Sequence, residues 1–115
     1  MKTIEDVQRK LEQFVNERDW QPFQSPKNLV MALTGEVGEL VEHFQWLSQQ
    51  QSLDMSKEQK QEVQDEMADV FIYLIRLADK LDIDLIEAAD QKIIKNAIKY
   101  PVDKSKGNQI KYTKL

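Results

Sequence analysis

Apolar residues return every third or fourth position through four successive stretches of this chain, each opened by a helix-capping residue. That pattern leaves little besides a bundle of helices to fold into. Thr3 with Asp6 opens the first, and Ile4, Val7, Leu11, Phe14 and Val15 carry its apolar face. Ser25 followed by Pro26 opens the second, whose face runs through Leu29, Leu33, Val37, Leu40, Phe44 and Leu47. Ser56 with Gln59 opens the third and Asp84 with Glu87 the fourth, which Pro101 stops because proline cannot continue the helical ladder. The expectation is an all-α, four-helix-bundle-like domain over residues 1–115 with helices at about 4–19, 26–48, 57–81 and 84–100. Trp20 to Gln24 is predicted as a turn, Gln49 to Met55 as a polar linker, and the chain from Val102 as an irregular tail.

Composition narrows the function. With no Cys there is no disulfide framework and no thiolate metal site. No apolar run reaches the roughly 20 residues that span a bilayer, and nothing after Lys2 resembles a signal peptide, so a cytoplasmic location is expected. A net charge of −4 argues against a binder of nucleic-acid polymers, whose affinity rests on clustered cations. A few local cations still suffice for one small phosphorylated ligand.

The informative feature is acid in the wrong place. On a wheel of about 100° per residue with Glu36 at zero, Leu29, Leu47, Leu40, Leu33 and Phe44 fall between roughly +20 and +80°. Glu36 therefore borders the apolar stripe directly, with Glu39 at about −60°, whereas Glu42 turns away to about −120°. The third helix repeats the arrangement: Tyr73, Leu77, Val70 and Val63 surround Glu66, and Asp69 lies at about −60°. Each helix thus stacks two carboxylates at i and i+3 on one face. A short connection makes the helices antiparallel, and the pairs can converge. Four acids in partly apolar surroundings repel one another unless a cation compensates. Oxygen-only ligation suits Mg²⁺ or Mn²⁺, and neither pair carries the His at i+3 that marks di-iron bundles.

Glu36, Glu39, Glu66 and Asp69, spaced as Glu-x-x-Glu and Glu-x-x-Asp, resemble the hallmark of the MazG-like all-alpha nucleotide pyrophosphohydrolases. Further segments look like the dCTP pyrophosphatase branch of that superfamily: Glu17-Arg18-Asp19-Trp20, Pro26-Lys27-Asn28-Leu29, Gly35 to Leu40, Phe44-Gln45-Trp46, Tyr100-Pro101 and Lys111-Tyr112-Thr113. Many superfamily members carry an additional Glu where this chain has Gly35, and the branch shares that Gly.

The resemblance implies a homotetramer, a dimer of dimers, that cleaves a dNTP, dCTP or a modified dCTP, between its α and β phosphates, as nucleotide-pool house-cleaning. Glu36, Glu39, Glu66 and Asp69 would hold Mg²⁺, with Mn²⁺ an alternative, and Glu39 would be the carboxylate that accepts the proton of the attacking water. Lys92, Lys95, Asn96 and Lys99 repeat at helical spacing as a cationic stripe with an amide, and by resemblance Lys92, Asn96, Lys99 and Tyr100 match positions that grip phosphate or sugar. Lys27 and Asn28 are further substrate-binding candidates, and Trp20 and Trp46 are candidates to stack on the base.

Three neighbours of the acids are assigned structural roles. His43, one turn after Glu39, is expected to pack, Glu62 to lie solvated one turn before Glu66, and Tyr73 to fill the core beneath the metals. Competing functions are a broad-specificity or dUTP-directed dNTP pyrophosphohydrolase and a noncatalytic helical scaffold whose acids only prevent misassembly.

Overall fold

The structure, a computed structural model, describes residues 2–114, and among these it is all-helical, with no strand. The chain divides into two compact units, Met1–Asp82 and Ile83–Leu115.

The first unit contains α1 (Ile4–Glu17), a 3₁₀ turn (Gln21–Phe23), α2 (Pro26–Glu42), α3 (Gln49–Leu53) and α4 (Lys57–Lys80). Each helix starts where a side chain can satisfy an amide left over at an N-terminus. Thr3, Ser48 and Ser56 form reciprocal capping boxes with Asp6, Gln51 and Gln59, and Ser25 accepts from the Asn28 amide with Pro26 at the first helical position. Asp19 (φ 53°) and Asp82 (φ 55°) take left-handed backbone just past the ends of α1 and α4, a conformation aspartate tolerates better than most residues.

α2 packs along α4, and α1 packs against α4 as well. Contacts between α4 and the α2 region run in opposite chain directions: Arg76 meets Gln24, whereas the earlier Glu62 meets the later His43. The helices are therefore antiparallel. Leu29 on α2 and Ile75 on α4 are fully buried, joined by Val15 of α1 and by Val63 and Ala78 of α4. Much apolar surface stays outside this core. Met31 is 67% exposed and Met67 57%, and a groove of about 510 Å³ lined by Leu40, Met67, Val70, Phe71 and Leu74 runs along α4.

The second unit holds α5 (Leu85–Lys99), capped by Asp84, then α6 (Val102–Ser105) and a 3₁₀ turn at Tyr112–Lys114. Tyr100 and Tyr112 meet edge to face at 5.9 Å, and the Lys99 ammonium lies 4.9 Å from the Tyr112 ring centroid.

The four predicted helices are present with shorter ends and two additions. α2 stops at Glu42 and not near residue 48, because the His43 amide bonds back to Leu40 and the chain tightens into turns through Leu47. The predicted polar linker contains α3, nucleated by the Ser48–Gln51 capping box, and the predicted irregular tail contains α6. Pro101 ends α5 as expected, yet its own carbonyl accepts from the Lys104 and Ser105 amides and starts the next short helix. No described helix is long and apolar enough to cross a membrane.

Candidate active site

Antiparallel packing of α2 on α4 brings the first acidic pair against the second. Carboxylate oxygens of Glu36, Glu39 and Glu66 all lie within 4.8 Å of one another. Glu36 and Glu66 are half-buried while Glu39 is exposed, so the group opens to solvent on one side. Oε2 of Glu36 and Oε2 of Glu66 are buried with no hydrogen-bond partner. Burial pushes the Glu36 carboxyl up to about 7, reinforced by Glu39, Asp69 and Glu66 beside it. Glu66 is raised for the same first reason, with Glu39 and Asp69 adding repulsion and His43 partly relieving it. Asp69 is exposed and stands outside the tight trio, acting on it through charge.

Buried carboxylate oxygens without donors are expensive, and native structures rarely leave them so. The trio offers hard oxygen donors only, an accumulated negative charge and one open side. That donor set fits Mg²⁺ or Mn²⁺, which take oxygen ligands and keep positions for water or phosphate.

Two residues expected to be structural or solvated lie against this group. His43 caps the C-terminus of α2, with Nε2 3.8 Å from Glu66 Oε1 and Nδ1 3.7 Å from Glu62 Oε2. These separations are too long for hydrogen bonds, so the imidazole acts as an electrostatic neighbour. Glu62 is largely exposed, as expected. The signal for His43 was its position one turn beyond Glu39.

A second feature lies farther along α4. Tyr73, expected in the core, is half-buried and lines a small slot with Leu11, Phe14, Trp20, Gln24 and Arg76. Trp20 is 44% exposed and meets Phe14 edge to face at 5.7 Å. Arg76, only 2% exposed, was not singled out in the sequence. Its Nη1 donates to Glu12 Oε2 at 2.5 Å and its Nε to Gln24 Oε1 at 3.1 Å. Gln21 extends this network, donating to Glu12 and Asn16 and accepting from Lys80. The sequence signal was a lone guanidinium after the apolar run Val70 to Ile75, seven residues from Asp69 and therefore on nearly the same face.

The remaining candidates are dispersed. Trp46, in the turns after α2, is 87% exposed. Lys27 and Asn28 occupy the first turn of α2, and the Asn28 side chain donates to the Phe23 carbonyl at 3.2 Å, bracing the preceding 3₁₀ turn. Lys92, Asn96 and Lys99 are exposed along α5 of the second unit, with Tyr100 at its C-cap.

Known proteins resemble this chain in sequence and in fold. The MazG-like family pattern matches residues 32–115. dCTP pyrophosphatase 1 of Rattus norvegicus is 44% identical over 98% of this chain and 68% of its own length. The Homo sapiens protein of the same name is 40% identical over the same shares. A crystal structure of a pyrophosphatase from Archaeoglobus fulgidus DSM 4304 superposes with a TM-score of 0.82 at 39% identity, covering 88% of this chain and 94% of that one. With its acidic helix pair, its all-helical fold and these relatives, the chain belongs to the MazG-like family.

Proposed function

We propose that this protein is a nucleoside triphosphate pyrophosphohydrolase that converts a dNTP, with dCTP or a modified dCTP preferred, into the monophosphate and pyrophosphate. The observation that carries this is the trio Glu36, Glu39 and Glu66, three carboxylates within 4.8 Å with two buried oxygens lacking donors. The substrate class is supported by the 40–44% identity to proteins named dCTP pyrophosphatase 1.

Glu36, Glu39, Glu66 and Asp69 would hold Mg²⁺, which when bound supplies positive charge against the triphosphate oxygens and makes the attacking water more acidic. Glu39, the exposed member of the trio, is positioned to accept the proton of the water that attacks the α-phosphorus. Lys92 and Lys99, with Lys27, would neutralise phosphate charge that the cation leaves uncompensated. Asn28, Asn96 and Tyr100 supply neutral hydrogen-bonding groups for phosphate or sugar. The rings of Trp20 and Trp46 stack on the base.

The chain acts as one functional domain over residues 1–115 and assembles as a homotetramer, a dimer of dimers. The exposed apolar groove of α4 is the support for assembly, since monomers seldom leave such a patch open. With no polymer partner and no membrane association, the protein serves nucleotide-pool cleansing in the cytoplasm.

Incubating the protein with each dNTP and Mg²⁺, and resolving the products, tests the proposal. Monophosphate plus pyrophosphate, fastest from a deoxycytidine nucleotide, is the expected result. Release of inorganic phosphate, or no cleavage of any dNTP, would overturn it.

A further inference from the structure

The charged network of Arg76 contains one group that it does not satisfy. Nε and Nη1 are engaged by Gln24 and Glu12, with Asp79 3.6 Å from Nη1, but Nη2 is buried and has no partner. A guanidinium is a donor-only group, and a buried N–H left unmatched costs the full loss of its hydration. Arg76 also helps line the slot that Phe14, Trp20 and Tyr73 wall with aromatic rings. An unmatched donor beside stacked apolar walls has the makings of a site that reads one edge of a flat ring.

Its distance from the acids fits the proposed substrate. Arg76 follows Asp69 by seven residues, which at about 1.5 Å per residue places it roughly 10 Å farther along α4 and within about 20° of the same face. A deoxyribose and base extending from an α-phosphate held at the acids span a comparable distance. We infer that Arg76 is a specificity-determining residue, its free Nη2 donating to the adjacent O2 and N3 acceptors of a cytosine ring held in the Trp20–Tyr73 slot. The inference rests on the pyrophosphohydrolase reading above and names what that reading leaves open, the group that distinguishes the base.

The chemistry selects in two steps. The slot measures about 80 Å³, against the roughly 150 Å³ of an engineered cavity that admits benzene, so it must widen even for a pyrimidine and further for a purine. Trp20, the half-exposed wall, is the side free to move, and Nη2 is buried in the free protein. Among pyrimidines, thymine and uracil present a ring N–H where cytosine presents the N3 lone pair. One N–H of Nη2 then faces the ring N–H and stays unmatched, while the other still reaches O2. Matched base-edge contacts of this kind discriminate by about 1–3 kcal/mol, or about ten- to a hundredfold.

The test is the ratio of kcat/KM for dCTP to that for dTTP and dUTP in wild type, Arg76→Lys and Arg76→Met. Lysine keeps a positive charge for Glu12 and loses the fork, and methionine removes both. Each variant is expected to lower the ratio about tenfold or more, a change that mere loss of stability does not produce because it scales all substrates together. Ratios within twofold of wild type in both variants would overturn the inference while leaving the pyrophosphohydrolase reading intact; a wild type that cleaves no dNTP would overturn both. Should the variants fail to fold, ¹⁵N spectra of the Arg76 side chain in wild type decide. dCMP is expected to shift the Nη resonances and dTMP to leave them, whereas no response to saturating dCMP overturns the inference and identifies Nη2 as a donor satisfied by buried water.

Discussion

Two ends of the α4 face handle half-buried charge in opposite ways. At the Arg76 end, a buried cation meets Glu12, Gln24 and Asp79, and the hydrogen bond from Arg76 holds the Glu12 carboxyl below its ordinary range. At the Glu66 end, carboxylates meet mainly other carboxylates, and the Glu36 carboxyl is pushed up to about 7. The same residue type, glutamate, moves in opposite directions because burial and then neighbouring acids dominate at one site, while the hydrogen bond from a counter-charge dominates at the other. The first arrangement is a brace between α1 and α4, and the second is complete only when a cation arrives from outside the chain.

The contrast breaks most visibly in activity. Glu36→Gln or Glu66→Gln is expected to lower dNTP turnover by about a hundredfold or more, since a carboxamide neither carries the charge nor holds a hard cation well. The same variants should raise the urea midpoint of the metal-free protein, because they remove repulsion. Wild-type turnover in either variant would show that the acids are not the site. A scaffold with no metal would share the stability gain but have no activity to lose.

Next in size is the brace. Arg76→Ala is expected to destabilise the protein by about 3 kcal/mol in equilibrium urea unfolding, because it empties the volume of a buried side chain and leaves Glu12 and Gln24 without their donor. Glu12→Gln should cost less, as the carboxamide oxygen can still accept from Arg76 Nη1 and Asp79, 3.6 Å from that nitrogen, remains as a counter-charge. An Arg76→Ala variant as stable as wild type would mean that α1 is held by apolar contacts alone.

The smallest effect is pH dependence, and its sign differs between the two ends. Glu36 has a folded value of about 7 against an ordinary 4.5, so its contribution to stability is full below 4.5 and is lost as pH rises through 7. Glu12, being lowered, contributes above 4.5 and loses that contribution as pH falls below it. The metal-free protein should therefore become less stable between pH 5 and pH 7.5, and Glu36→Gln should flatten that decline, measured as thermal midpoints in chelator. A rise over this interval would contradict the assigned charge deficit.

Much of this was legible in the sequence because it depends on local rules. Capping residues and helical periodicity marked where α1, α2, α4 and α5 begin, and i, i+3 spacing put Glu36 with Glu39 and Glu66 with Asp69 on common faces. Helix ends were harder, since left-handed Asp19 and Asp82 look no different from other aspartates in a sequence. Short α3 and α6 were missed because five and four residues give a period too little room to show. The Arg76 network was hidden for another reason. Its partners Glu12 and Gln24 lie 64 and 52 residues away, and only the fold brings them to one side chain.

The most direct test of the charge deficit is calorimetric titration of the chelator-treated protein with Mn²⁺ at pH 7, run in buffers of different ionisation enthalpy. Saturable binding with proton release is expected, because a Glu36 carboxyl near 7 must give up its proton to become a ligand, and the binding should weaken at least tenfold in Glu36→Gln. Absence of saturable binding to a folded wild-type protein, or equal affinity in Glu36→Gln, would contradict the assignment of this acidic trio as a cation site.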